Sequence, residues 1–421
     1  MRREEGVTLS SAIEFFGPKR TDRINLKKTE WVVTSRQLSL LLAPLGCRKM
    51  SGTDGVMRGE GRDTLFPFFH NSWRDKRATH EIWVGQTGYG KTFMLNGYLM
   101  REYALQGIPF DMLEPMGHGR HLAEAYGLQH LVVSAKRTVL NPHDVMFETP
   151  AKQKGHVIRL YETILGRPLL GDQQANLQRS LLGAALDRMY GRFGEDLSDV
   201  TPDMVPTVEE LCDEIVVSVA ERSKSLAYDF ADELAGMCTG AGPYAAFVNG
   251  TTNMDLSTRG KAVPRIFSFH EMEEDMMSLA YTQVLSAIRR DSLADESPRI
   301  IAVDEVFRLM RHPSLLTFLV EAVKTFRTKR KKVICIDQNM SIFLEGDASL
   351  LFENCPIRVI FSQRGGMEVF EKRSFSHFTD QHKRIILGLN RFEYLMDIQD
   401  EGIWWLLSRP SVSESRRFGM T

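Results

Sequence analysis

Eight consecutive residues, Gly85-Gln86-Thr87-Gly88-Tyr89-Gly90-Lys91-Thr92, fit the pattern GxxxxGK[ST] at each fixed position. The glycines let the backbone curl until successive N–H groups point at one anion. A helix starting at the end of the curl adds its positive N-terminal end. Such a curl suits a triphosphate. Lys91 would reach the β- and γ-phosphate oxygens, and Thr92 would place its hydroxyl on a Mg2+ ion. The competing explanation is a chance glycine turn. The flanks argue against it: EIWV (81–84) reads as a short strand, and FMLNGYLMREYALQG (93–107) has helical spacing that stops at Gly107.

RIIAVDE (299–305) supplies the other half of such chemistry, an apolar strand closing on two carboxylates. Asp304 would hold Mg2+ through a water, and Glu305 would act as general base on the attacking water. Acids that merely begin a loop are the plainer alternative. Gln338 ends the strand KVICIDQ (332–338), where its amide could touch both a γ-phosphate and the lytic water. Regular strand alternation turns the preceding Asp337 to the opposite side, with no role. KTFRTKRKK (324–332) has six basic residues and no acid. Three readings stay open for it: a solvated helix face, phosphate contact with nucleic acid, or an arginine acting across a subunit boundary, with Arg327 and Arg330 as candidates. Glu114 is either a solvated strand end or a carboxylate that orders water near the metal.

The elements that must position these residues alternate. IPFDMLEP (108–115) is a second buried strand, so strand, helix and strand form a βαβ unit with a parallel sheet. Residues 150–261 are predicted to be helical, with Thr207 and Glu210 forming a capping box. Strands return at RIFSF (265–269), RIIAVDE, KVICIDQ and IRVIFSQ (357–363), each apolar enough for a sheet covered on both faces. Upstream, residues 36–45 suggest a short helix and the glycine-rich 51–63 a loop. The predicted class is α/β, with a central, mainly parallel sheet and an inserted all-helical subdomain.

Bulk composition excludes several classes. The 421 residues carry 53 Lys plus Arg against 54 Asp plus Glu, so DNA binding is possible but is not indicated by net charge. The five cysteines are scattered, with no CxxC, as free thiols in a reducing cytosol would be. The 11 histidines lack ligand spacing, so no metal beyond Mg2+ is expected. The N-terminus is no secretory signal, and no apolar run reaches the roughly 18 residues of a membrane span.

Taken together, GQTGYGKTFMLN (85–96), LNPHDVM (140–146), IIAVDEVFRLM (300–310) and FRTKRKKVICIDQ (326–338) make the chain resemble the large ATPases of type IV secretion and conjugation (TraC/TrbE-like). The match runs from about residue 36 to the end. The resemblance implies a RecA-like P-loop motor that binds ATP and Mg2+ and self-associates into a ring, commonly a hexamer. It also implies a cytoplasmic location, docked on inner-membrane secretion-channel components. Lys91 and Thr92 match the family's Walker A pair, Asp304 and Glu305 its Walker B pair. Arg327 matches the arginine before the last core strand, and Gln338 the glutamine ending it. The family's usual threonine before that glutamine is Asp337 here. Family members carry a large N-terminal domain, so residues 1–76 are expected to be its remnant. The motor is expected at 77–149 and 262–421, with 150–261 as the insertion. Energising pilus assembly or protein or DNA transfer is the expected function. A DNA-translocating or packaging motor and an ATP-binding scaffold with negligible turnover are the alternatives.

Overall fold

The computed structural model describes residues 7–8, 32–33 and 55–417, apart from 64–65, 74–79, 218, 220–222, 258–261, 311–312, 364–366 and 410–411. The expected helix at 36–45 lies outside the described residues. Two short strands, β1 (Val7–Thr8) and β2 (Val32–Val33), pair antiparallel. All other strands join one sheet: β3 (Val56–Gly61), β4 (Pro67–His70), β5 (Glu81–Val84), β6 (Phe110–Glu114), β7 (Gln129–Ser134), β8 (Arg265–Glu271), β9 (Arg299–Val303), β10 (Lys331–Asp337), β11 (Ile357–Ile360), β12 (Glu393–Ile398) and β13 (Gly402–Leu407). Their order is β4-β3-β13-β12-β11-β5-β10-β9-β6-β8-β7. From β11 to β7 every pairing is parallel, whereas β12, β13, β3 and β4 extend one edge in antiparallel fashion.

Burial explains the apolar strands. Every residue of β5, β6, β9, β10 and β11 is buried, as a parallel sheet covered on both faces requires. Alternate side chains feed two cores: Ile82, Val84, Val333 and Cys335 on one face, Trp83, Ile334 and Ile336 on the other. Helices α1 (Lys91–Gln106) and α2 (Arg120–Tyr126) contribute to the second core. Gly107 closes α1 at φ 66°, where its N–H bonds Tyr103 O at 3.0 Å.

Between β7 and β8, among the described residues, the chain is helical: α3 (Pro150–Ile164), α4 (Gln173–Gly191), α5 (Val208–Val216), α6 (Lys224–Cys238) and α7 (Ala245–Val248). The capping box forms, with Thr207 N donating to Glu210 Oε2 at 2.7 Å. These helices have no separate core. Tyr161, Leu186 and Phe230 share one apolar cluster with Leu279 and Val284 of α8 (Glu274–Ala294) and with Ile82 of the sheet. The remaining helices are α9 (Phe307–Met310), α10 (Pro313–Phe326), α11 (Ser349–Asn354), α12 (Asp380–Gly388) and α13 (Val412–Arg417). No helix among the described residues is long and apolar enough to cross a membrane.

The glycine-rich stretch read as a loop is in part β3. Its register shifts between Met57 and Gly59, and a Cβ at Gly59 would lie 2.9 Å from Leu407 O. Glycine here permits close approach of a strand and does not mark a turn. Arg58 of β3 reaches under the sheet and pairs with Glu81 at 2.8 and 3.1 Å. Glu81 also takes Lys332 Nζ at 2.5 Å and Trp83 Nε1 at 2.6 Å. Lys332 further donates to Ser72 Oγ at 2.9 Å and Tyr98 OH at 2.6 Å. Burial by itself would raise the Glu81 carboxyl, but Arg58 and Lys332 hold it well below the usual carboxylate range. Its contribution to stability is therefore present above the ordinary value of 4.5 and fades as pH falls below it.

Glu81→Ala leaves two buried cations without their counter-charge and should cost about 3–5 kcal/mol in chemical denaturation. Separating the exposed Arg120–Glu124 pair should leave the same unfolding midpoint unchanged.

Candidate active site

The phosphate-type loop leaves β5 between the C-terminal tips of β10 and β11. Gly85 N donates to Asp337 O at 3.3 Å, and Gln86 N to Ser362 O at 3.1 Å. Gly88 and Gly90 sit at φ 88° and 94°, in the left-handed region that favours glycine. A Cβ on Gly90 would meet the Phe392 ring at 2.4 Å, while one on Gly88 would meet nothing within 4 Å. The loop is thus pinned on its inner side and open at its crest, where Thr87 and Gly88 are exposed. Lys91 begins α1, is buried, and turns its ammonium back onto the carbonyls of Gly85 and Gln86, the latter at 3.1 Å. Burial lowers its pKa, and three carboxylates oppose that effect: Asp304, Asp337 and Glu305.

Those acids come from two strand ends beside the loop. Asp304 follows β9, its N–H bonded to Leu113 O at 3.0 Å. Its Oδ1 accepts from Glu305 N at 3.0 Å, leaving Oδ2 for a cation. Burial, with Glu305 and Glu114 as like charges, pushes its carboxyl up to about 6. Glu305 adopts φ 50°, an uncommon conformation for a side-chain-bearing residue. Arg308 Nε holds the Glu305 carboxylate at 2.8 Å. Gln338 follows β10 with its side chain exposed, and its backbone carbonyl accepts from Gln363 Nε2 at 3.1 Å.

Lys91, Thr92, Asp304, Glu305 and Gln338 therefore share the C-terminal side of the parallel strands, where an open α/β sheet binds its ligands. Arg327 and Arg330 do not. Both are exposed at the start of β10, about 23 Å from its far end at roughly 3.3 Å per residue. The rest of the basic run disperses: Lys331 pairs with Asp295 at 2.5 Å, Lys332 with Glu81, and Lys329 with Glu296 at 3.3 Å.

Glu114 is not a solvated strand end. It is buried, accepts N–H bonds from Met116, His118 and Gly119 at 3.0–3.3 Å, and also accepts from the Ser268 hydroxyl. Asp337, which strand alternation left without a role, accepts from Phe307 N at 2.8 Å and Gln338 N at 2.6 Å. Its replacement of the family's threonine was the one available signal. Phe392 had none, because its ring meets Gly90 and its N–H bonds Tyr89 O at 3.0 Å only through the fold.

The residues fit Mg2+ with a nucleotide. An open loop crest, an ammonium bonded to its own loop's carbonyls among the described residues and the half-buried Asp304 carboxylate make a suitable donor set. No group of three or more acids, histidines or cysteines that could cage a metal occurs among the described residues. Mg2+ characteristically binds through one or two protein ligands plus phosphates and water.

A glycine loop after β5, paired acids after the neighbouring-but-one strand β9 and an amide after the intervening β10 define a RecA-like P-loop fold. Solved structures agree. VirB4 of Thermoanaerobacter pseudethanolicus is similar at TM-score 0.72 and 19% identity, over 87% of this chain and 100% of that one. The bacterial conjugative coupling protein TrwB is similar at TM-score 0.57 and 13% identity, over 90% of this chain and 92% of that one. Plasmid coupling protein TrwB in complex with ADP and Mg2+ gives the same TM-score and identity, over 90% and 93%. At these identities the likeness is one of fold. No protein-family model matches the chain, and no curated protein matches its sequence.

The raised Asp304 carboxyl destabilises the protein above pH of about 6, and the penalty disappears as pH falls toward 3.8. Without nucleotide or Mg2+, Asp304→Asn should therefore be more stable than wild type at pH 8, by about 1–3 kcal/mol. Melting curves of the two proteins should converge below pH of about 4.

Proposed function

We propose that the chain is a Mg2+-dependent ATP hydrolase that energises type IV secretion, in pilus assembly or in protein or DNA transfer. The observation carrying this reading is the convergence of the loop, Asp304, Glu305 and Gln338 around one buried lysine. Lys91 exchanges its two loop carbonyls for β- and γ-phosphate oxygens. Thr92 and Asp304 would hold Mg2+, which would supply charge neutralisation at the phosphates. Glu305 accepts a proton from the attacking water, and the Arg308 contact at 2.8 Å fixes the carboxylate's position. Gln338 lies where it can contact both a γ-phosphate and that water.

Arg327 and Arg330 lie too far from their own loop to serve it, so their proposed place is a neighbouring subunit's site within a ring, taken here as a hexamer. Helices within 150–261 form the insertion of that motor, and docking is on the cytoplasmic side of inner-membrane channel components. A DNA-translocating motor of the same fold is the second reading, favoured by the likeness to conjugative coupling protein TrwB. It is less well supported by the charges, because ion pairs occupy Lys329, Lys331 and Lys332. An ATP-binding scaffold would require Glu305 to stay on Arg308 throughout.

Lys91→Ala should reduce ATP turnover at least about 100-fold, a loss that phosphate-cradling lysines make large through transition-state charge. Glu305→Gln should retain nucleotide binding while losing turnover to a similar extent. Specific activity should rise with protein concentration as subunits complete one another's sites. A flat concentration dependence would remove Arg327 and Arg330 from the mechanism.

A further inference from the structure

Glu305 carries a backbone conformation that costs free energy, so neighbouring groups must hold it there. Besides the bonds within the turn itself, two come from β10. Val306 N donates to Ile336 O at 3.0 Å, and Phe307 N donates to Asp337 Oδ2 at 2.8 Å. The first is main chain to main chain. The second brings a side chain of β10 onto the turn after β9.

The same carboxylate grips a second turn. Its Oδ1 accepts from Gln338 N at 2.6 Å and from Asn339 N at 3.4 Å. The main-chain carbonyl of Asp337 accepts from Gly85 N at 3.3 Å, where the glycine loop begins. One residue thus touches all three segments of the candidate site: the base-bearing turn, the amide-bearing turn and the loop. Asp337 is buried, and no cation lies within ion-pairing distance of it among the described contacts. A buried carboxylate is tolerated there because backbone N–H groups satisfy both of its oxygens through charge-assisted bonds.

Resting on the ATPase reading, we infer that Asp337 is a positioning residue for hydrolysis: its two oxygens tie the Glu305 turn to the Gln338 turn, so that engagement of Gln338 sets the placement of the general base. A hydroxyl offers one oxygen and cannot grip both turns from opposite ends. An amide cannot either. Asp337→Asn keeps the shape but replaces one acceptor by an NH2 that must face a backbone N–H, either that of Phe307 or those of Gln338 and Asn339. Neither option preserves the bridge. Asp337 itself need not touch the nucleotide, so its loss should register in turnover and not in binding.

The test compares wild type, Asp337→Asn, Glu305→Gln and the double variant, with full-length protein in Mg2+ and ATP. Binding is followed separately with a fluorescent ATP analogue. Asp337→Asn should lower kcat at least 10-fold while the analogue's Kd stays within about threefold and the melting temperature stays close to wild type. Because the residue acts through Glu305, the double variant should turn over no more slowly than Glu305→Gln alone. Wild-type kcat in Asp337→Asn would overturn the inference. So would loss of nucleotide binding, or a further fall in the double variant, since either assigns Asp337 a general structural role. Failure of the ATPase reading is read from a different sample: wild type that binds the analogue without turnover refutes that reading, and this inference falls with it.

Discussion

One buried ammonium organises the molecule. Lys91 stands where the C-terminal tips of β5, β9 and β10 meet, with three carboxylates acting on it and only loop carbonyls bonded to it. A cation in that position is costly without partners, and the backbone oxygens compensate only in part. An arrangement that keeps a lysine desolvated and its acids close is adapted to receive a strongly anionic group. The parallel sheet, in this sense, gathers three strand ends around one charge.

The opposite end of the same strands is also ionic, but closed. Glu81 opens β5 and takes both Arg58 and Lys332, so the two central strands are fastened to α1 and to the antiparallel edge by fully buried charges. All partners there are protein groups, and none is held open for a ligand. The two ends contrast: ion pairs completed within the protein anchor β3, β5 and β10, while at the far tips Lys91 is bonded to backbone carbonyls and not to the acids acting on it. Arg58 of β3 and Ser72 after β4 tie those strands into the same core as the loop that follows.

Features written in contiguous residues were legible beforehand. The loop from Gly85 to Thr92, the strand ending in Asp304 and Glu305, and the Thr207 capping box each depend on neighbours within a few positions. The central parallel strands β5, β6, β9, β10 and β11 are legible from their apolar runs, because both of their faces are covered. Long-range features were not legible. Gly59 looked like loop material since its reason for being glycine lies at Leu407, and Lys332 looked like part of a basic surface since its partner is Glu81. Asp337 was discounted by alternation along its strand, yet at a strand's last residue the relevant neighbours are the turns on either side. Strands β7, β12 and β13 were missed because their character comes from the sheet partners they join.

The most direct measurement is the position of the Lys91 ammonium in an experimental structure containing Mg2+ and a non-hydrolysable ATP analogue. Nζ should have left the carbonyls of Gly85 and Gln86 for the terminal phosphates, with the metal between Thr92 and the Asp304 side. A nucleotide bound elsewhere, or a lysine still folded back on its own loop beneath the phosphates, would contradict it.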